Sequence, residues 1–395
     1  MPIVHINQSQ TGQFTANAAD TKWIIDPGVA IQSDGDFCFS SGFANTEVVL
    51  KGKLVHTSDA GSAIALWEAG GGVTLTVSGR IETASNGVFL AADDQYAVNH
   101  GIIHGNMGMV VDGEGSTVEN NGDVIGDMTS GIAFWSAGCE LVNAKGAFIK
   151  GVYGINTENA AAGTTRIENL GTIKGDNWAF SCGDGVDHII NRGKIVGSVQ
   201  LGNGQNVFDT RGGTVIGDVS GGMNGDTYLI DDAAVSIFEG AGGGYDTLKS
   251  TVSYALDANN EIEVITAIGD KNAALSGNEI GNRLNGNKGD NALKGKGGED
   301  WLDGGKGDDV LTGGTDMDRF VFKKGGDNDI AIGFVPGEDI LYVENFYLDK
   351  GYDDLLDHMT VVKGDLVIKF GKDSITLDGI GQADLAETDV IFANL

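Results

Sequence analysis

Short apolar runs separated by glycine and asparagine recur along residues 1–220. A typical unit is Asn-x-Gly followed closely by Ile or Val, as in residues 120–124 (NNGDV) and 191–195 (NRGKI). A second apolar segment, such as residues 88–90 (VFL), lies between successive units. The anchor glycines stand 20 to 25 residues apart, at Gly79, Gly101, Gly122, Gly146, Gly171, Gly193 and Gly213. Short strands repeating at such an interval are typical of a right-handed parallel β-helix, in which each coil stacks on the preceding one.

An antiparallel β-sandwich is the alternative interpretation of residues 1–220, because its strands are also short and separated by turns. A sandwich gives no reason for glycines to recur at one interval, so the parallel β-helix is preferred. The pattern indicates no helix of useful length.

A second, tighter repeat occupies residues 275–320, where an apolar residue stands at every ninth position. These anchors are Leu275, Leu284, Leu293, Leu302, Leu311 and Phe320. Glycines follow two residues later, at Gly277, Gly286, Gly295, Gly304 and Gly313. Polar residues follow seven residues after each anchor, at Asn282, Asn291, Asp300, Asp309 and Asp318. A flexible Gly/Asp-rich linker would not keep a leucine at this interval, so the repeat predicts a short strand and a turn in every nine residues.

The unit L-x-G-G-x-G-x-D-x, best preserved in residues 302–310 (LDGGKGDDV), resembles the calcium-binding nonapeptide of the repeats-in-toxin (RTX) family. The resemblance implies a calcium-binding parallel β-roll. Calcium prefers six to eight carboxylate and carbonyl oxygens. We expect the polar residues to offer side chains, and Gly286, Gly295, Gly304 and Gly313 to point carbonyl oxygens inward through positive φ angles.

If two nonapeptides form one coil, turns 18 residues apart stack along the same edge. Asn282, Asp300 and Asp318 are then predicted on one edge, with Asn291 and Asp309 on the other. An ion between consecutive turns gives about three sites, and the neutral asparagines should weaken the sites they share.

Asp226 and Asp246 are predicted as additional ligands upstream of the repeats. They are spaced by about one coil, and residues 221–247 resemble the degenerate lead-in of RTX repeats. The alternative is that these two aspartates only form turns.

The C-terminal segment resembles the cap of serralysin-type proteins, notably in residues 320–322 (FVF) and 334–341 (FVPGEDIL). The final residues 388–395 (TDVIFANL) resemble the signal read by type I exporters. The N-terminus lacks a basic segment followed by an apolar one, so we expect type I export to replace a signal peptide. This implies an extracellular or cell-surface location on a Gram-negative bacterium.

The formal net charge of −31 is consistent with divalent cations as partners and argues against nucleic acid, because phosphate binding needs clustered Lys and Arg. Cys38, Cys139 and Cys182 are widely spaced and odd in number, and we expect buried free thiols.

Residues 1–220 contain no H-E-x-x-H zinc motif and no G-x-S-x-G lipase elbow. His100 and His104 are therefore expected to be turn histidines. A calcium-dependent polysaccharide lyase or epimerase is the enzymatic alternative, but only Arg80, Arg166, Arg192 and Arg211 supply arginine for an acidic sugar. Trp67, Trp135 and Trp178 could form a stripe for stacking against sugars if they occupy equivalent positions in their coils. The alternative is that these side chains only pack within the core or at an edge.

The predicted protein is all-β, with a parallel β-helix in residues 1–220, a calcium-binding β-roll with its lead-in in 221–325, and a small β-rich cap in 326–395. The predicted function is a secreted, calcium-dependent surface or matrix protein, without catalysis as the preferred interpretation. Open coil ends favour self-association into filaments or sheets, and extracellular polysaccharide or a cell surface is a further candidate partner.

Overall fold

The computed structural model describes residues 1–67, 74–158, 160, 163–346, 348 and 351–393. Two compact units divide the chain. The first contains residues 1–224 and 235–237, and the second contains residues 225–234 and 238–395. The two-residue strand Ile237–Phe238 spans one of the three points at which the chain passes from one unit to the other.

The first unit consists of short strands in two sheets. One sheet contains Ile3–Ile6, Lys22–Ile25, Glu47–Leu50, Thr74–Val77, Tyr96–Asn99, Thr117–Asn120, Glu140–Asn143, Thr164–Asn169, Val186–Asn191 and Val207–Asp209. The other contains Gln10–Thr11, Phe14–Thr15, Ala30–Ser33, Phe37–Ser41, Lys53–His56, Ser62–Leu66, Arg80–Thr83, Asn86–Leu90, Ile102–Gly105, Met107–Val111, Asp123–Gly126, Ser130–Phe134, Phe148–Asn156, Thr172–Ser181, Lys194–Asn203, Thr214–Ile216 and Val219–Met223.

Each strand of the first unit pairs in parallel with the equivalent strand of the next coil. Ile81, Ile103, Val124, Ile149 and Ile173 form one continuous column through these pairings and are fully buried. Burial of one such side chain contributes about 1.5–3 kcal/mol. The apolar segments of the repeat therefore supply the core of the solenoid.

A buried asparagine ladder explains the Asn-x-Gly motif. The Nδ2 group of Asn99 donates to Asn120 Oδ1 at 2.8 Å, and the same bond links Asn120 to Asn143 at 2.9 Å. The series continues through Asn169 to Asn191. The Oδ1 atoms of Asn99, Asn120 and Asn191 also accept the backbone N–H of the glycine two residues later. Glycine is favoured there by close stacking, because a Cβ on Gly101 would lie 2.0 Å from the carbonyl oxygen of Gly79.

The predicted anchor glycine Gly146 is not the structural equivalent of its neighbours. The backbone carbonyl of Ala147 accepts the N–H of Thr172, as the carbonyl of Gly122 accepts the N–H of Phe148. Two residues are inserted here, because Asn143 pairs with Asn120 whereas Phe148 pairs with Asp123. Ala147 therefore occupies the anchor position, and Gly146 takes a left-handed turn conformation with φ of 88°.

The second unit also has two sheets. One contains Thr227–Ile230, Thr247–Ser250, Val264–Ala267, Arg283–Asn285, Trp301–Asp303, Arg319–Lys323, Ile340–Glu344 and Val390–Ala393. The other contains Tyr254–Ala255, Ala274–Ser276, Ala292–Lys296, Val310–Gly314, Asn328–Ile332, Met359–Val362, Asp365–Phe370 and Asp373–Leu377. Its helical segments within the described residues are Tyr352–Leu356 and the 3-10 turn Glu387–Asp389.

The nonapeptide anchors stack as predicted. Leu275, Leu293 and Leu311 align in one sheet. In the other sheet, Leu284, Leu302 and Phe320 align in the same way. These six side chains are at most 1% exposed. Two nonapeptides therefore form one coil of 18 residues, because stacked anchors are 18 positions apart.

The prediction of an all-β parallel solenoid is confirmed, and the antiparallel sandwich is wrong. Among the strand pairs that the structure describes, only Met359–Val362 with Asp365–Phe370, and Asp365–Phe370 with Asp373–Leu377, are antiparallel. The three-part division at residues 220 and 325 stays a prediction. In the described part of the chain, no helix has the length and apolar character needed to cross a membrane.

Candidate metal centre

The polar residues of the nonapeptides form two rows in the second unit. In the first row, the backbone N–H of Asn282 donates to Asp300 Oδ1 at 2.8 Å, that of Asp300 to Asp318 Oδ1 at 3.1 Å, and that of Asp318 to Asp339 Oδ1 at 2.8 Å. Each residue thus holds the carboxylate of the next coil in place. We call Asn282, Asp300, Asp318 and Asp339 the first row.

The second row is built in the same way. The backbone N–H of Asn291 donates to Asp309 Oδ1 at 2.7 Å, and that of Asp309 to Asp329 Oδ1 at 3.1 Å. Asn291, Asp309 and Asp329 form this second row. The predicted grouping of five nonapeptide residues into sets of three and two corresponds to these two rows.

Three of the carboxylates keep one oxygen unused. The Oδ2 atoms of Asp300, Asp309 and Asp318 are buried and have no hydrogen-bond partner among the described atoms, and their residues are at most 1% exposed. A buried carboxylate oxygen without a partner costs several kcal/mol unless it is protonated or binds a cation. These oxygens therefore fit the side-chain ligands of a metal ion.

Burial raises the pKa of Asp300, Asp309 and Asp318 to about 7 in each case. Neighbouring carboxylates add to this effect; Asp318, for example, raises the pKa of Asp300 further. Burial likewise raises the pKa of Asp329 to about 8. In the absence of a cation, the rows favour protonated aspartates, and a divalent ion would supply the missing positive charge.

The repeat glycines are required by space, and the prediction that they have positive φ angles is wrong for Gly286, Gly295, Gly304 and Gly313. A Cβ on Gly295 would lie 1.9 Å from Asp300 Oδ2, and one on Gly304 would lie 2.2 Å from Asp309 Oδ2. The positive φ angles occur instead at Gly298, Gly305, Gly307 and Gly314.

Carboxylate and carbonyl oxygens meet beside these glycines. The Cβ position of Gly295 is 1.9 Å from Asp300 Oδ2 and 2.8 Å from the carbonyl oxygen of Gly313, so these two oxygens are less than about 5 Å apart. This is a separation that one calcium ion can bridge.

The two asparagines are satisfied without an ion. Asn282 accepts the N–H of Asn278 at 2.8 Å and donates to the carbonyl of Ile262 at 2.9 Å. Asn291 accepts the N–H of Asn287 at 2.7 Å. Asn282 and Asn291 therefore need no cation to satisfy their side chains, whereas the buried aspartates of the rows do.

Asp329 and Asp339 are row members that the nonapeptide pattern does not predict. Each lies 20 or 21 residues after the preceding residue of its row, so the nine-residue phase no longer identifies it. A more general signal would have found both, namely Asp followed two residues later by a buried apolar residue. That residue is Ala331 after Asp329 and Leu341 after Asp339.

Upstream of the rows, Asp226 and Asp246, which the sequence predicts as additional ligands, lie close to each other and to Glu239, which the sequence does not predict. Their role as ligands stays a prediction. One carboxylate oxygen of each residue lies within 4.8 Å of the other two, and all three residues are buried. Glu239 belongs to no repeat, so spacing gave no signal for it.

The candidate groups of the first unit do not converge. Trp67 and Trp135 each come directly after a strand of the same stack, but two coils lie between them. Trp178 lies within a strand, where it pairs with Tyr153, and so occupies a different position in its coil. Trp67 packs against Phe37, and Trp135 packs against Phe89. The condition for a sugar-stacking stripe is therefore not met.

The histidines and cysteines of the first unit have ordinary structural positions. His100 is exposed at a bend, but His104 lies within the strand Ile102–Gly105, so its prediction as a turn residue is wrong. The ring of His104 hydrogen-bonds to Asp127 at 2.7 Å. Cys38, Cys139 and Cys182 are buried free thiols, as expected.

Comparison with known proteins gives limited similarity. No family model matches the chain. A curated lipase of Pseudomonas fluorescens is 36% identical over 72 residues, which cover 18% of this chain and 14% of the lipase. The solved structure of the extracellular lipase LipA from Serratia marcescens aligns with 65% of this chain and 45% of its own, at 17% identity and a TM-score of 0.28. The chain therefore spans less than half the length of either protein.

Proposed function

We propose that this chain is a secreted RTX-type protein whose second unit binds calcium in its turns and folds when calcium is bound. The observation that carries the proposal is the series of buried, unpartnered Oδ2 atoms on Asp300, Asp309 and Asp318. Their regular placement supports a shared ligand because three unrelated buried carboxylates would have no reason to leave the same oxygen unused.

Calcium suits these turns better than magnesium does. Calcium accepts six to eight oxygens in flexible geometry, whereas magnesium demands a near-octahedral arrangement at shorter distances. Each proposed ion lies between consecutive turns of one row, which gives three ions for the nonapeptides. Asp329 and Asp339 would extend each row by one further site.

Calcium binding would contribute directly to folding, because the rows exist only when the coils are stacked. Extracellular calcium modules bind at about 10⁻⁴–10⁻³ M, far above free cytosolic levels. The chain would remain unfolded in its second unit inside the cell and fold outside it. This behaviour supports type I export to the surface of a Gram-negative bacterium, although residues 394–395 of the proposed signal lie outside the described residues.

The proposed role is adhesion, matrix attachment or a self-assembling coat, with polysaccharide or a cell surface as partner. A lyase or epimerase is less well supported because three of the four arginines are already engaged. Arg80 pairs with Glu82, and both Arg192 and Arg211 pair with Asp209. The lipase activity of the relatives is not proposed for this chain, since only 14% of the curated lipase is matched.

Hydrogen–deuterium exchange of the full chain, with calcium or magnesium, tests the proposal. Protection of residues 274–332 should appear with calcium alone. The double variant Asp300→Ala/Asp309→Ala should raise the calcium midpoint several-fold or abolish the transition. The control Asp290→Asn/Asp308→Asn removes equal charge from exposed positions of the roll and keeps an oxygen that can accept the backbone N–H groups of Asp308 and Asn328, so it should titrate normally. Equal protection with and without calcium, or an unchanged titration in the first variant, would refute the proposal.

A further inference from the structure

Three acidic side chains outside the two rows converge within the second unit. Asp226, Glu239 and Asp246 are each at most 1% exposed, and one carboxylate oxygen from each lies within 4.8 Å of the others. Two oxygens that bind one calcium ion at about 2.4 Å are at most about 4.8 Å apart. The spacing of the three oxygens is therefore compatible with one shared ion.

Asp246 provides a second and independent indication of a ligand. Its side chain is fully buried, and its Oδ2 atom has no hydrogen-bond partner among the described atoms. Its Oδ1 atom already accepts the backbone N–H of Asp226 at 2.7 Å. No described lysine, arginine or histidine forms an ion pair with Asp246. A buried carboxylate in this state calls for a cation.

The surrounding groups hold the cluster in place. The hydroxyl of Tyr228, which is fully buried, donates to Glu239 Oε1. The backbone N–H of Glu239 donates to Asn260 Oδ1 at 3.0 Å, and that of Asp246 donates to Glu263 Oε2 at 2.7 Å. In the folded cluster these bonds hold the Glu239 carboxylate and the backbone of Glu239 and Asp246, which limits the freedom of the side chains around an ion.

We propose that Asp226, Glu239 and Asp246 form a three-carboxylate calcium site that differs from the turn sites and fills before them. The inference extends the proposed calcium binding to a second class of site. An ion between two roll turns meets at most two row carboxylates, and fewer where Asn282 or Asn291 takes part. Calcium affinity rises with the number of charged ligands in a site. The upstream site should therefore bind at lower calcium concentration and order residues 226–250 ahead of the nonapeptide coils.

Equilibrium dialysis and calorimetry of the full chain with calcium would test the site. Glu239→Gln should lose one bound ion and weaken the first binding step by about tenfold or more, while the later steps persist. The exposed Glu114→Gln is the matched control for lost charge and should behave as wild type. The roll variant Asp300→Ala/Asp309→Ala should retain the first step. Terbium, a calcium substitute, should show luminescence sensitised by Tyr228.

The outcomes separate the two proposals. If Glu239→Gln binds the same number of ions with the same first step as wild type, the upstream site is refuted while calcium binding by the roll stands. If Asp300→Ala/Asp309→Ala binds as many ions as wild type while Glu239→Gln loses one, the turn sites are refuted and the upstream site stands. If Glu239→Gln does not fold, Asp246→Asn replaces it. The terbium signal of the wild-type protein then decides, since equal emission from wild type and Tyr228→Phe overturns the proposal.

Discussion

Replacing the row aspartates with asparagine should free the second unit from its need for calcium. The variant Asp300→Asn/Asp309→Asn/Asp318→Asn keeps the shape of each side chain and removes its charge. Asn282 provides the precedent within the first row, because its amide finds both an acceptor and a donor at the equivalent position. We therefore expect the triple variant to fold in the presence of a chelator, where the wild-type roll does not.

The pKa values set the magnitude of the effect. Burial moves the pKa of each of the three aspartates from its ordinary value near 4 to about 7. Such a change means that ionisation at about pH 8 opposes folding by about 4 kcal/mol per side chain. Three side chains give on the order of 10 kcal/mol as an upper value, comparable with the whole stability of a typical domain. Removing this cost should therefore decide whether the calcium-free roll folds.

The assay is denaturant unfolding of the full chain with chelator at about pH 8, combined with hydrogen exchange to locate the folded segment. The control Asp290→Asn/Asp308→Asn/Asp316→Asn removes three charges from exposed positions and tests whether net charge alone matters. The row variant should show protection of residues 274–332 and a reduced response to calcium. If it is as unprotected as wild type in chelator, or if the control gains equal protection, the argument from buried charge is wrong.

Three further outcomes follow from the same structure. The Gly304→Ala variant should raise the calcium midpoint, because its Cβ would lie 2.2 Å from Asp309 Oδ2, whereas Gly240→Ala, whose Cβ meets nothing closer than 3.9 Å, should not. Asn143→Ala should destabilise the first unit by about 1–3 kcal/mol in denaturant unfolding, since it interrupts the asparagine ladder, and the exposed Asn121→Ala should be neutral. The calcium-free roll should become more stable as the pH falls from about 8 to about 5.5. The reason is that aspartates with raised pKa values hold more protons in the folded state than in the unfolded state. This added stability is complete below about pH 4 and is lost as the pH rises through about 7. With calcium present the same acidification should weaken binding, and a denaturant midpoint that is independent of pH in chelator would contradict the assignment.

The correspondence between sequence and structure is closest where the repeat length is constant. A strict nine-residue phase places Leu275 over Leu293 and Leu284 over Leu302, because stacked parallel strands must align equivalent residues. The rows of polar residues follow from that alignment alone. In the first unit the phase varies from coil to coil, and the insertion of two residues was enough to misplace the anchor at Gly146.

The sequence by itself determined the parallel solenoid, the 18-residue coil and the grouping of the nonapeptide aspartates, since each depends only on local periodicity. The tertiary structure alone decided that Asp329 and Asp339 continue the rows, because inserted residues alter the spacing along the chain without altering the stacking in space. It also decided that Glu239 joins Asp226 and Asp246, since contacts between residues without a common period depend on the path of the coils. The tertiary structure also decided the role of the repeat glycines. In the sequence, a glycine required because a neighbouring carboxylate leaves no room for a side chain looks the same as a glycine required for its backbone angle.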